Sequence, residues 1–302
     1  MTQWTLRQAL FFLIGSTLCT LLLFFSVRTL WNRSSTSRQN DPAYRITALV
    51  QTSSEKEPLK TAYLAELLGL SINNPANLYA FDIRAAEKKL LASPLIQKAK
   101  VSRRPPNALY IDYEVRRPVA ILADYQNVAI DREGYLFPLA PFFSPKELPE
   151  IYLGIPSFGE PEDSFGRSGG RWQTPLKNRY LNLAFEVLQT LQGSSWSEGI
   201  RIKRIDVSNA YAPTLGVREI VLLTEEELLF TQNGRSVRCT FPKILRLASK
   251  EYAQQLFNFF AYRKQMMEDY RKQLTSLPEN GRFAPRIVDL RIPQLAFVEN
   301  QS

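Results

Sequence analysis

The run from Ser93 to Leu122, SPLIQKAKVSRRPPNALYIDYEVRRPVAIL, constrains the fold more than any other stretch of the chain. It reads as two strands, a proline turn and an exit into a third strand. Leu109, Ile111, Tyr113 and Val115 alternate with Tyr110, Asp112, Glu114 and Arg116, the period of a strand with one buried face. The first strand alternates only loosely, with Ile96, Lys98, Lys100 and Ser102 out of phase with Gln97, Ala99 and Val101. Pro105 and Pro106 carry no N–H and pre-set φ, which fixes the turn, and Pro118 ends the hairpin in the same way. Such a pattern specifies a scaffold rather than a reaction.

What precedes the run completes a module. Tyr44, Ile46, Ala48 and Val50 alternate as a short strand. Leu59 to Leu70 has helical spacing with Gly69 at its stop, and Asp82 is an N-cap for a second helix bearing Ile83, Ala86, Leu90 and Leu91. The order is strand, helix, helix, strand, strand. A second domain follows. Val119 to Ala123 is a strand, and Val128 to Asp131 with Tyr135 to Pro138 make a hairpin about Arg132 to Gly134. Lys177 to Gln192 is amphipathic, and Ile200 to Val207 and Glu219 to Leu223 are strands. Glu227 to Gln232 and Ser236 to Phe241 flank Asn233-Gly234, a hairpin turn signal. Lys243 to about Leu274 reads as helix, and Arg286 to Val298 as a β-rich close interrupted at Pro293. The Gly/Pro-rich stretch 156–175 reads as a surface loop, because no Gly-Lys-Ser/Thr follows Gly166, Gly169 and Gly170 to cradle a phosphate. The fold class is α+β.

From Gln8 to Val27 the chain is uncharged and rich in Leu and Phe, a length that matches the bilayer core. A cleaved signal peptide is the competing reading, but the apolar run is long for one and Ser26, Val27 and Arg28 do not form a small-residue cleavage site. The expected layout is a short tail over 1–8, a membrane helix over 9–28, a flexible linker over 29–43, one domain over 44–117 and another over 118–298. Arg33 to Pro42, RSSTSRQNDP, is polar and aperiodic, which reads as a slack stalk. Arg28, Arg33 and Arg38 follow the helix and Arg7 precedes it, so charge counting alone favours a cytoplasmic C-terminal part.

Composition excludes more chemistry than it proposes. There is no histidine, which removes Ser-His-Asp and Cys-His catalysis and the imidazole sites most catalytic zinc uses. Asp131 with Glu133, and Glu225 to Glu227, read as turn or solvated carboxylates rather than a hydrolytic pair. Cys19 lies in the apolar run and Cys239 far downstream, so the soluble part holds no internal disulfide. The net charge of +9 admits nucleic acid, an anionic membrane or an acidic polymer as partner. Its basic residues are scattered, which reads as a solvated face beside a membrane and not a nucleic-acid groove. No catalytic residue, cofactor, metal or small-molecule substrate is expected.

Several motifs resemble the FtsQ/DivIB family of bacterial division proteins. Pro94, Ile96, Ala99 and Val101 are similar to its Pro-Trp-Val…Ala-x-Val segment, with Leu95 where tryptophan is usual. Arg103, Pro106, Leu109 and Ile111 continue the match, and Glu114, Pro118, Val119 and Ala120 resemble its Glu-x-x-Pro-Val-Ala ending. Asp131, Gly134 and Phe137 resemble its Asp-x-x-Gly-x-x-Phe hairpin, and Val288 to Arg291 its terminal Asp-Leu-Arg strand. The resemblance implies a POTRA module followed by the family's β-domain. Both would lie outside the cytoplasmic membrane, against the charge count, and be enriched at the division site. It implies a non-enzymatic scaffold that binds FtsB/FtsL-type coiled-coil proteins by strand addition at a C-terminal edge. The candidate edge is Ile287 to Val298, with Ile287, Leu290, Ile292, Leu295, Phe297 and Val298 as apolar contacts and Arg291 as a charged one. Arg103, Arg104, Arg116 and Arg117 border the POTRA strands as a contact face for anionic lipid or another division protein. The rival readings are a POTRA-bearing secretion or assembly factor, which usually carries a long membrane barrel not evident here, and a membrane-tethered hydrolase.

Overall fold

The computed structural model describes residues 6–55, 57–71, 73, 75–155, 172–193, 199–232, 235–273 and 281–300. Its contacts divide the chain into two units, Met1–Val115 and Arg116–Ser302. The first begins with α1 (Leu6–Asn40) and a short 3-10 turn at Pro42–Tyr44, followed by β1 (Ala48–Ser53), α2 (Thr61–Leu68), α3 (Ile83–Leu91), β2 (Ile96–Arg104) and β3 (Ala108–Val115). The sheet order is β1-β3-β2, with β1 parallel to β3 and β2 antiparallel to it. Gly69 ends α2 at φ 68, the left-handed conformation that a Cβ disfavours, and the Asp82 carboxylate accepts from Ala85 N to start α3.

The loose alternation of β2 has a structural cause. Its pairing with β3 slips between Ile96 and Lys98, and the extra residue puts Ile96 and Val101, an odd number apart, on the same buried face. The outer side of β2 is guarded: Val101 N donates to the Glu87 carboxylate on α3 at 2.9 Å. Leu64, Leu78, Leu90, Leu95, Leu109 and Ile111 are buried in this unit. Each contributes about 1.5–3 kcal/mol over an exposed position.

The stretch expected to be a slack stalk is helical instead, because α1 continues to Asn40. The reason lies outside the local sequence: the turn at 77–79 grips the end of the helix. Asn77 Nδ2 donates to Arg38 O at 3.0 Å and to Asp41 O at 3.1 Å, and the Arg38 guanidinium lies over the Tyr79 ring at 5.6 Å. Asp41 then caps the 3-10 turn. Among the described residues no helix is long and apolar enough to cross a membrane. Along α1, Leu13, Ile14, Leu18, Leu21 to Phe25 and Val27 all stand exposed.

The second unit holds β4 (Ala120–Leu122), β5 (Val128–Ile130), β6 (Leu136–Pro138), β7 (Glu150–Tyr152), α4 (Arg179–Gln192), β8 (Ile200–Asp206), β9 (Ile220–Gln232), β10 (Arg235–Leu247), α5 (Tyr252–Gln273), β11 (Arg286–Asp289) and β12 (Phe297–Asn300). They form a nine-stranded sheet in the order β12-β11-β10-β9-β8-β7-β4-β5-β6. Its main core joins Leu181, Ala184, Val187, Leu188 and Leu191 of α4 to Ile151, Ile205, Leu222 and Leu245 of the sheet. Gly134 turns the β5–β6 hairpin at φ 90, and a Cβ there would stand 2.9 Å from Leu176 O.

Three sequence readings change in this unit. The strands expected over 219–223 and 227–232 are one long strand, β9, which starts at Ile220 and pairs with β8 and β10. Lys243 to Leu247 is strand, not helix. Pro242 marks the apparent break, but its nitrogen faces the side on which Thr240 N donates to Gly281 O, and β11 joins the ladder only at Lys243. The missing N–H therefore leaves no ladder partner unmet. The strand β7, three residues between prolines and a loop, carries no alternating signal and was not expected. The segment 156–171, the turn Asn233-Gly234 and Leu274 lie outside the described residues.

Candidate partner-binding edge

The segment expected to form the edge divides into two parts with different surroundings. β11 is paired on both sides, parallel to β10 and antiparallel to β12, so Ile287 and its neighbours are interior to the sheet. Leu290 is 6 % exposed and belongs to the main core. These two positions are therefore not edge contacts: the chain returns past Pro293, and β12 takes the outermost place. The turn is held by Leu295 N donating to Ile292 O, with Gln294 at φ 64. Nothing among the described residues pairs with the outer side of β12.

From the turn onward the apolar side chains face solvent. Ile292 is 50 % exposed, Leu295 54 %, Phe297 57 % and Val298 43 %. Phe297 and Val298 are successive strand residues and point to opposite faces, so both faces of the edge are bare at this point. An incoming extended segment would meet a row of unpaired backbone groups flanked above and below by apolar side chains.

Arg291 is half-buried and bonded within its own chain. The Asp289 carboxylate accepts from Arg291 N at 3.1 Å, from Nε at 3.0 Å and from a terminal nitrogen at 2.8 Å. The other guanidinium nitrogen donates to Gly216 O at 2.9 Å and lies 3.4 Å from Glu219. Burial pushes the Asp289 carboxyl up, but the hydrogen bonds from Arg291 and the charges of Arg291 and Arg246 outweigh it and hold the group below its ordinary value. The hydrogen bond with Asp289 raises Arg291 in turn. This arginine fixes the loop 214–219 to the turn that launches β12.

Of the four arginines expected as a contact face, Arg103 and Arg104 belong to the first unit and Arg116 and Arg117 to the second. Arg103 donates to Leu78 O and Phe81 O, satisfying the carbonyls of the turn before α3. Arg104 lies over the Tyr110 ring at 5.1 Å. Arg116 belongs to the second unit, where it bonds Asp131 at 2.8 Å and stacks on Tyr135 at 3.7 Å with its Nε buried and unpartnered. Arg117 is exposed.

Of the acidic groups, Glu133 is exposed as expected, whereas Asp131 and Glu226 are buried. Asp131 is buried, accepts from Glu133 N and Tyr135 N, and so fastens the β5–β6 turn to Arg116. Glu226 is 4 % exposed between Lys243 Nζ at 2.6 Å and Arg263 of α5 at 2.6 Å. Burial pushes its carboxyl up, yet the Arg263 hydrogen bonds and the Lys243 charge hold it below its ordinary value. Burial lowers Lys243. Alternation could have found Glu226, since it shares a strand face with Leu222, but a run of three glutamates reads as solvated. Among the described residues no group of three or more His, Cys, Asp or Glu side chains is placed to hold a metal.

Residues 56–113 match the family described as the POTRA domain, FtsQ-type. That stretch runs from the loop before α2 into β3, so α2, α3, β2 and most of β3 lie within the match, in support of an FtsQ/DivIB-like family. It fits a division-related scaffold. No curated protein matches the chain.

Proposed function

We propose that this chain is a non-enzymatic, single-pass membrane scaffold of the bacterial division machinery. In this reading the apolar run of α1 spans the cytoplasmic membrane, and both units lie outside with the short N-terminus inside. The C-terminal strand β12 captures FtsB/FtsL-type coiled-coil partners by strand addition and so links early and late division proteins at the septum. The observation that carries the reading is an FtsQ-type POTRA domain in a chain whose last strand is a bare edge with Ile292, Leu295, Phe297 and Val298 exposed around it. The exposed Leu and Phe side chains of α1 support the membrane part, because apolar residues on every side of a helix suit lipid and not water.

The test is co-purification of an FtsB-like partner with the full chain and with a chain ending at Gln294. The truncation removes the edge but leaves β11 in its ladder with β10. Loss of the partner from a folded truncated chain is the expected result, and undiminished capture would overturn the proposal.

A further inference from the structure

Residues 34–37 are Ser-Ser-Thr-Ser, side chains that compete with a helix by bonding nearby backbone groups, yet α1 runs through them. Its C-terminal end also lacks the left-handed glycine that commonly closes a helix. The partner for one of its last carbonyls, Arg38 O, comes from the folded body of the first unit. Asn77 Nδ2 reaches both Arg38 O and Asp41 O, Tyr79 stacks under Arg38, and Tyr79 meets Tyr44 edge-on at 4.9 Å. The same Asn77 side chain uses its Oδ1 to accept from Tyr79 N and Ala80 N, so one residue both shapes the turn and grips the helix.

We propose that 33–40 is a conditional strut: helical while the 77–79 turn grips it, and a slack tether when the grip is released. A stretch of weak helix formers at a helix end does not persist unaided. Its state therefore follows a contact some forty residues away. Engaged, the strut makes α1 and the POTRA fold of the first unit one body, and rotation or tilt of the helix is delivered to that fold. Released, the two move independently over the same length of chain. The consequence rests on the membrane reading given above: with the apolar run in the bilayer, Val27 to Asn40 sets a stand-off of about 20 Å. The strut itself does not depend on that reading.

Asn77→Asp separates the two roles of the residue. The carboxylate still accepts from Tyr79 and Ala80, so the turn is kept, but it places an oxygen against the carbonyls of Arg38 and Asp41. The measurement is hydrogen exchange on the full chain in lipid nanodiscs. Amides 35–40 should be protected in the native chain and lose about tenfold or more of that protection in N77D, while 83–91 and 96–115 stay as they were. Tyr79→Leu, which removes the stack under Arg38 without touching Asn77, should shift 35–40 in the same direction and decides the matter if N77D loosens α3. Unprotected amides at 35–40 in the native chain would overturn the strut, as would protection unchanged by both variants. Alkaline extraction of membranes, run in parallel, reports on anchoring alone: a chain released into the supernatant counts against the membrane reading and leaves the exchange result standing.

Discussion

Leu290 and Ile292 stand two residues apart and serve different ends. Leu290 closes the core, so Leu290→Ala should cost about 2–4 kcal/mol in a chemical denaturation curve, the usual range for a truncated core leucine. Ile292 is half exposed at the start of the turn, and Ile292→Asp should move stability by less than about 0.5 kcal/mol while weakening partner capture in a pull-down. Glu226 has a different kind of importance. Glu226→Gln leaves Lys243 and Arg263 without their shared counter-charge, and breaking a buried pair in this way costs about 3–5 kcal/mol. The pH dependence has a definite sign. Because the Glu226 carboxyl is held below its ordinary value when folded, its contribution is complete above the range in which a free glutamate titrates. It is lost as pH falls through the lower, folded value. A midpoint-against-pH curve should therefore fall more steeply on the acid side for the native chain than for E226Q.

At the scale of elements, β12 is the piece whose removal or repulsion should matter for binding and not for folding. Phe297→Asp and Val298→Asp put charge on opposite faces of the same edge. Each should abolish capture of an FtsB-like partner with the far-ultraviolet circular dichroism unchanged, and a variant that still binds would place the contact elsewhere. Much of the element order was legible because one-faced burial writes a period into the chain: β3, α3 and α4 lie close to where their apolar spacing puts them. What was not legible depended on partners distant in sequence. The irregularity of β2 is a bulge defined only against β3, and the proline at 242 is harmless only because β11 joins beyond it. The helical state of 33–40 is set by Asn77, and the interior place of β11 by a strand that follows it. Arg116 and Arg291 looked like surface charges for the same reason, since their carboxylate partners are brought near only by the fold.

At the scale of the whole molecule, the proposed topology places both units outside the cytoplasmic membrane. A periplasm-active reporter fused after Ser302 should be active and concentrated at the division plane, and activity of a cytoplasm-dependent reporter at that position would reverse the topology. The two units also treat their sheet margins differently. The margin at β2 has the Glu87 carboxylate on Val101 N, whereas no described strand pairs with the outer side of β12, where phenylalanine and valine turn to water. A margin of that kind accepts strands without asking whose they are. On the function proposed above, copies made in excess of their partner are open to pairing with one another through this margin.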